Sequence, residues 1–213
     1  MIDFKPITFG LSFLSCIVVG ACAEAKPARV CDPVTGDAVR QDAKDLNKLK
    51  NRESVPGPAD FDPSVTLAAM LTPGGDVGRF AEGRAGTVIG YVADAIVGGV
   101  ETCNCHATDP HDRDTHIELT LTAADAPDET KHVIVEVTPR WRARMAARGV
   151  DWETSTLRST IKGRCVKVSG WMLYDVEHKG QAENTAPGND ADWRATVWEI
   201  HPITNLEVLP TCP

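Results

Sequence analysis

The sequence lacks a segment long enough to span a membrane, and it lacks an excess of basic residues. Its most apolar stretch runs from Ile7 to Val19, whereas a transmembrane helix needs about 20 predominantly apolar residues. The net charge of the 213-residue chain is −8. Binding to nucleic acid draws on a basic surface that releases phosphate counterions, so this charge argues against a nucleic-acid partner and against an anionic membrane surface.

The common catalytic and nucleotide-binding motifs are also missing. The chain contains no G-x-S-x-G, H-E-x-x-H, P-loop or Rossmann fingerprint. It shows no internal repeat and no low-complexity tract. No activity is therefore assigned by motif, and a site must be sought in the arrangement of polar residues within a predicted fold.

The first 25 residues have the three parts of a secretory signal. Lys5 gives a basic start, the stretch to Val19 is apolar, and small residues are concentrated from Gly20 to Ala25. Two ways of processing this signal are possible. One is ordinary A-x-A cleavage near Ala23 or Ala25; the other is a lipobox, Val19-Gly20-Ala21-Cys22, whose cysteine becomes acylated. We expect a periplasmic, secreted or cell-envelope lipoprotein, with a lipid on Cys22 as its only membrane attachment.

The remaining chain, about 190 residues, is enough for one buried core. Residues 26–83 are predicted to form an N-terminal helical and loop extension, and residues 84–213 a barrel domain. In the extension, an apolar stripe at helical spacing predicts one helix, and proline and glycine punctuation predicts a second over residues 64–71. The stripe consists of Val39, Ala43, Leu46 and Leu49.

From Gly86 onward the apolar residues recur at every second position, which indicates β-strands. A helix from Arg140 to Arg148 interrupts the series after Pro139. Three strands, a helix and two strands is the order of the OB-fold, a five-stranded Greek-key barrel. We therefore predict a mainly β protein with this barrel; its strands cover residues 87–97, 116–122, 133–137, 164–175 and 195–201, with 206–209 as an extension of the last.

Several motifs resemble a group of small exported bacterial proteins with an OB-like core and a closing W-E-I-H-P-V-T motif. The closing segment here is Trp198-Glu199-Ile200-His201-Pro202-Ile203-Thr204, in which Ile203 replaces valine. His116-Ile117-Glu118-Leu119, Cys103-Asn104-Cys105 and the helix at 46–52 resemble the same group. The likeness covers roughly residues 84–208 and implies the fold and export, without an activity.

The cysteines that follow the signal agree with export, because an oxidising compartment lets them pair. They are Cys31, Cys103, Cys105, Cys165 and Cys212. We expect Cys165 to bond Cys103 or Cys105, and Cys31 to bond Cys212. An odd number leaves one thiol free, bound to a metal, or paired with Cys22.

The candidate site follows from the OB-fold, whose ligands bind the outer face of strands 2 and 3 and the loops after strands 1 and 4. Both loops are rich in His, Asp and Asn, and Glu136 should lie between the His-Glu pairs of strands 2 and 5. Imidazole and carboxylate suit zinc or a similar divalent metal. The predicted metal ligands are His116, Glu118, His178, Glu199 and His201. Predicted ligand-binding residues at the edge are Arg194, Arg140, Trp193 and Asn184.

Three function classes fit these features. We favour an exported or lipid-anchored cell-envelope binding module that recognises a small molecule, a glycan or a protein partner. The alternative is a metal-dependent hydrolase acting on a phosphodiester or glycan through the His/Glu cluster, without an assignable catalytic residue. A structural lipoprotein whose polar face meets a partner protein is the third class, in which the polar side chains are simply the solvated face of the sheet.

Overall fold

The computed structural model describes residues 31–212. The predicted secretory signal, its cleavage sites and Cys22 lie outside this range. Within it, no helix combines the length and the apolar character that a membrane crossing requires.

Short helices precede a set of five strands, and two further helices interrupt that set. In chain order the elements are α1 (Gln41–Lys50), α2 (Leu67–Met70), β1 (Ala85–Val97), β2 (Thr115–Thr120), β3 (Val133–Val137), α3 (Pro139–Ala146), α4 (Thr154–Ile161), β4 (Cys165–Tyr174) and β5 (Trp198–Leu209). The two predicted stretches at the end of the chain form one continuous strand, β5.

The strands close into a barrel in the order β1-β2-β3-β5-β4, which is the predicted OB-like topology. Its neighbours pair antiparallel except β3 and β5, which are parallel. The long strand β1 pairs with β4 through its first half and with β2 through its second half, with a register shift between Val92 and Asp94. That shift lets one strand bend around the barrel.

Inward side chains of all five strands form the core, and the helices between β3 and β4 contribute to it. Trp198 is 2% exposed and packs there with Ile200. Helix α3 begins at Pro139 with Thr138 as its N-cap, whose hydroxyl accepts from the Trp141 amide. The second helix, α4, was not predicted because its Ser- and Thr-rich sequence has low helix propensity. Burial of Leu157 and Ile161 stabilises it.

Helix α1 forms where predicted, but its buried face is not the predicted apolar stripe. Val39 lies ahead of the helix and is 75% exposed, whereas Leu46, Asn47 and Lys50 are buried. The helix packs against the polar outside of the barrel, so its inward face carries polar groups that pair with that surface.

Two disulfides join Cys31 to Cys105 and Cys165 to Cys212, and Cys103 is a buried free cysteine. The predicted pairing was therefore wrong, although the expectation of bonded cysteines with one left over was correct. Cys165 lies opposite Tyr91, in the middle of β1, and opposite Leu209, at the end of β5. The end of β1 is six residues beyond Tyr91, roughly 20 Å away, so Cys212 is the near partner.

The crosslink between Cys165 and Cys212 is expected to stabilise the fold through the unfolded chain. The two residues are 47 positions apart, and closing such a loop contributes about 4 kcal/mol in the chain-entropy model. The double variant Cys165→Ser, Cys212→Ser should lose up to that amount in a urea titration under oxidising conditions. In reducing buffer the variant and the wild type should unfold at nearly the same urea concentration. A difference that persisted there would show that the crosslink is not the cause.

Candidate metal centre on the covered face of the barrel

The outer face of β2, β3 and β5 carries ionisable side chains, since residues alternate between the two faces of a strand. Ile117 and Ile200 point into the core, and their neighbours point outward. The register places His116 of β2 opposite Glu136 of β3, and Glu136 follows Val135, which pairs with Ile200 of β5. The outward set is His116, Glu136, Glu199 and His201.

Glu136 lies between the two histidines, as expected from the strand order. One carboxylate oxygen, Oε1, is 3.2 Å from His116 Nε2, and Oε2 is 3.6 Å from His201 Nδ1. Asp114, directly before β2, approaches His201 Nε2 with its Oδ2 at 3.9 Å. One potential ligand atom from each of Asp114, Glu136 and His201 lies within 4.8 Å of the other two.

The site is closed rather than exposed. His116 is 7% exposed and His201 is fully buried, so these side chains face outward from the barrel, as expected, but are covered by other parts of the chain. The N-terminal extension and the loops after β1 and β4 cover this face. The cover is tight at Gly98, where an added Cβ would come within 2.7 Å of the His116 ring; the absence of a side chain there makes room for the imidazole.

Two permanent cations are buried in the same cluster. Lys50 at the end of α1 places Nζ 2.6 Å from Glu101 and 3.1 Å from Asp175. Arg194 is fully buried and donates to Glu199 Oε1 at 2.6 Å. Arg194 was predicted at the edge of the site, and the structure places it inside.

His201 has the hydrogen-bonding arrangement of a histidine that binds a metal. Its Nδ1 lies 3.3 Å from Glu199 Oε2, within hydrogen-bonding distance. Its buried Nε2 has no hydrogen-bond partner and faces Asp114. Histidines that ligate metals commonly donate the other ring N–H to a carboxylate, which fixes the ring and its tautomer. Glu199 is thus placed to orient His201 rather than to bind the ion itself.

His178 and Trp193 border the centre. His178 Nδ1 is 2.9 Å from Asp175 Oδ2, and the two residues form a second potential ligand group with Glu199. The Trp193 ring stacks on His116 with centroids 6.1 Å apart and meets His178 edge-on at 5.4 Å. Trp193 therefore packs over the outer side of His116.

The other predicted site residues lie elsewhere. Glu118 pairs with His132 at 3.4 Å. Arg140 donates to Asn51 at 2.6 Å, and Asn184 donates to Asp76 at 3.0 Å. None of these contacts involves the cluster around Glu136.

Sequence reasoning missed Lys50, Asp175 and the central position of Asp114. Lys50 follows Leu46 by four residues and so shares its helix face. A lysine on the buried face of a helix implies a carboxylate partner, and this was the available signal. Asp114 was visible only as one of several loop carboxylates.

The buried charges shift the pKa values in opposite directions. Burial, followed by the Glu199 and Asp114 carboxylates, raises the pKa of Glu136 well above its usual range, and burial also raises that of Asp114. Burial lowers the pKa of His201, but Glu136 and the other carboxylates outweigh it and raise that pKa to about 9. His201 and Glu136 therefore share a proton that persists above neutral pH.

The groups next to the permanent cations behave differently. Burial alone would raise the pKa of Glu199, but Arg194 dominates and lowers it to about 2. In the same way Lys50 holds the pKa of Asp175 well below its usual range. Burial lowers the pKa of His116, which leaves its ring neutral and able to bind a metal.

Comparison with known proteins does not assign this site. No protein-family model matches the chain, and no curated protein matches it significantly. The function must therefore be argued from the geometry of the cluster.

Removing the Arg194 guanidinium should strongly destabilise the protein, because Glu199 would be left as an unpaired buried charge. We expect Arg194→Leu to lower the free energy of unfolding by about 3–5 kcal/mol, as measured by urea denaturation. Arg40→Ala is the matched control, since Arg40 pairs with Asp42 on the exposed surface and should leave stability almost unchanged. Equal effects of the two substitutions would contradict the proposed importance of the buried pair.

The metal-free protein should lose stability as the pH rises through the titration of His201. The folded-state pKa of about 9 exceeds the ordinary value of 6.5, so the folded state binds more protons between these values. The contribution is complete below pH 6.5 and lost through about pH 9, and it amounts to on the order of 3 kcal/mol. Urea titrations in chelator across this range should show a smaller decline in His201→Gln than in the wild type; the raised pKa values of Glu136 and His178 account for what remains. An equally steep decline in the variant would contradict the assignment.

Proposed function

We propose that this protein is an exported or lipid-anchored cell-envelope binding module whose barrel holds a divalent metal ion of the zinc class. The ligands are Asp114, Glu136 and His201, and His116 is a neighbouring donor whose Nε2 lies 3.2 Å from Glu136 Oε1. The observation that carries the proposal is that Asp114, Glu136 and His201 each offer a ligand atom within 4.8 Å of the other two. Each of these residues, and the neighbouring His116, also has a buried polar atom without a hydrogen-bond partner: Asp114 Oδ1, His116 Nε2, Glu136 Oε2 and His201 Nε2. Buried polar groups are nearly always satisfied, so a bound cation would account for all four.

The charge balance of the cluster supports a cation at this place. Five buried or nearly buried carboxylates face only two permanently charged cations, Lys50 and Arg194. Lys50 pairs with Glu101 and Asp175, and Arg194 pairs with Glu199. Asp114 and Glu136 form their ion pairs among the described residues with histidines. Unbalanced buried charge is costly, and either protons or a divalent ion would offset it.

The donor types agree with zinc. Imidazole nitrogen and carboxylate oxygen are donors that Zn²⁺ accepts in a four-coordinate site, with ligand distances of about 2.0–2.2 Å. Because His201 and Glu136 retain a proton above neutral pH, metal binding releases it, and affinity rises with pH.

Burial favours binding over catalysis. A catalytic zinc keeps an open position that the substrate reaches, whereas the side chains of Asp114, His116, Glu136 and His201 are all at least nine-tenths buried. The hydrolase that the sequence also suggested would need the cover of Trp193 and the N-terminal extension to open.

A groove beside the centre is the proposed place for a small molecule, glycan or protein partner. It has a volume of about 500 Å³ and lies between α1 and the loops after β1 and β4, where OB-folds bind ligands. Its lining includes Arg40, Leu46, Thr102, His106 and Glu177. The two disulfides fit an oxidising compartment, and this supports export, as does the resemblance to exported OB-like proteins.

Metal content and stability test the proposal. The untagged protein, stripped with chelator and titrated with Zn²⁺, should bind one ion per chain by elemental analysis and isothermal calorimetry. Zinc at 100 times its dissociation constant should raise the free energy of unfolding by about 2.7 kcal/mol. His201→Ala and His116→Ala should lose both the ion and this stabilisation.

The matched control is His132→Ala. His132 is also buried and also paired with a carboxylate, Glu118, so its loss should cost stability without loss of zinc. Zinc binding that survives both His201→Ala and His116→Ala, or a wild type that binds no zinc, would overturn the proposed function.

A further inference from the structure

We propose that the Cys103 thiol takes the fourth coordination position of this metal centre, beside Asp114, Glu136 and His201, which makes the centre selective for thiophilic ions; this inference rests on the proposed function. Cys103 Sγ lies 3.8 Å from Asp114 Oδ2 and is 1% exposed. Glu101, Cys103 and Asp114 form a potential ligand group of their own. Asp114 belongs to this group and to the group of Glu136 and His201.

The distances around Asp114 suit ligands of one ion. Two ligands of a tetrahedral zinc lie roughly 3.4–3.6 Å apart, given Zn–O near 2.1 Å and Zn–S near 2.3 Å. Asp114 Oδ2 is 3.8 Å from Cys103 Sγ and 3.9 Å from His201 Nε2. Each distance is within a few tenths of an ångström of that spacing. The other carboxylate oxygen, Asp114 Oδ1, is buried and has no hydrogen-bond partner, so this carboxylate beside the thiol has an oxygen that an ion could satisfy.

Glu101 is the less suitable member of the thiol group. Its Oε2 accepts from Lys50 Nζ at 2.6 Å, so its charge is already balanced. The ammonium on that side disfavours an ion close to Glu101 and favours one displaced toward Asp114 and the histidines. Cys103 lies between these two regions, 3.3 Å from Glu101 Oε2.

The surroundings of the thiol also indicate a role beyond packing. A buried cysteine usually behaves as a small apolar side chain, but Cys103 contacts two carboxylates. The other four cysteines of the described chain are bonded in disulfides. Cys103 alone is kept as a thiol, next to Asp114 and Glu101.

Coordination exchanges the thiol proton for the metal. Without an ion, Cys103 is a thiol that donates to Glu101 Oε2 at 3.3 Å. When a divalent ion binds, the S–H bond breaks, the sulfur keeps the electron pair and forms the bond to the metal, and the proton leaves to solvent.

A thiolate changes which ions the centre prefers. Carboxylate and imidazole alone accept manganese as well as zinc, whereas sulfur selects zinc, cobalt or cadmium over manganese, magnesium and calcium. The substrate class of this binding module is therefore a thiophilic divalent ion.

Cobalt substitution tests the inference. Co²⁺ added to the metal-free full-length protein should give visible d–d bands of a tetrahedral site together with a sulfur-to-cobalt charge-transfer band in the near ultraviolet. Cys103→Ser should keep d–d bands and lose the charge-transfer band. Its affinity for Cd²⁺ should fall at least roughly tenfold, since removing even outer-shell partners of metal ligands costs 10–100-fold. Its affinity for Mn²⁺ should stay unchanged.

The outcomes separate the two proposals. If Co²⁺ produces d–d bands in the wild type without a charge-transfer band, the thiolate inference fails and the metal site stands. If Co²⁺ produces neither, the proposed function fails as well. The wild-type spectrum decides the question by itself, so the test holds even if Cys103→Ser does not fold; Cys103→Ala then serves as the second variant.

Discussion

The buried ammonium of Lys50 is the contact on which the covered site depends. It joins three parts of the chain: the end of α1, Glu101 in the loop after β1, and Asp175 directly after β4. Lysine is almost never fully buried unless it is paired, and here the pairing holds the N-terminal extension onto the barrel. Together with the Cys31–Cys105 disulfide and the hydrogen bonds from Arg52 to the Met172 and His201 carbonyls, this contact covers the outer face of the barrel.

Closing this face changes what its side chains can do. On an open OB face, His116 and His201 would be solvated groups at a ligand surface. Under the extension they lie in a medium of low dielectric constant, where an unpaired carboxylate is costly and a pairing cation is worth more. Burial therefore restricts the access of a substrate and at the same time favours an ion bound inside. It also keeps protons on the groups from which such an ion would displace them.

Much of the fold followed from local patterns. Alternation of apolar residues located the strands because each strand of a barrel has one face in the core, and Pro139 with Thr138 marked the start of α3. The site was anticipated in part for the same reason: alternation also determines which residues face outward, so the approach of His116 and His201 to Glu136 followed from strand order. Glu118, on the same face of β2, pairs instead with His132, which alternation alone does not distinguish.

The sequence by itself determined the barrel, its strand order and the residues of its outer face, because these depend on neighbours along the chain and on periodicity. Tertiary structure decided what covers that face, which cysteines pair, and that Lys50, Asp114 and Cys103 join the cluster. These contacts link residues that are far apart in the chain; Lys50 and Glu101, for example, are 51 positions apart. The register shift in β1 and the docking of α1 set them, and neither leaves a local pattern in the sequence.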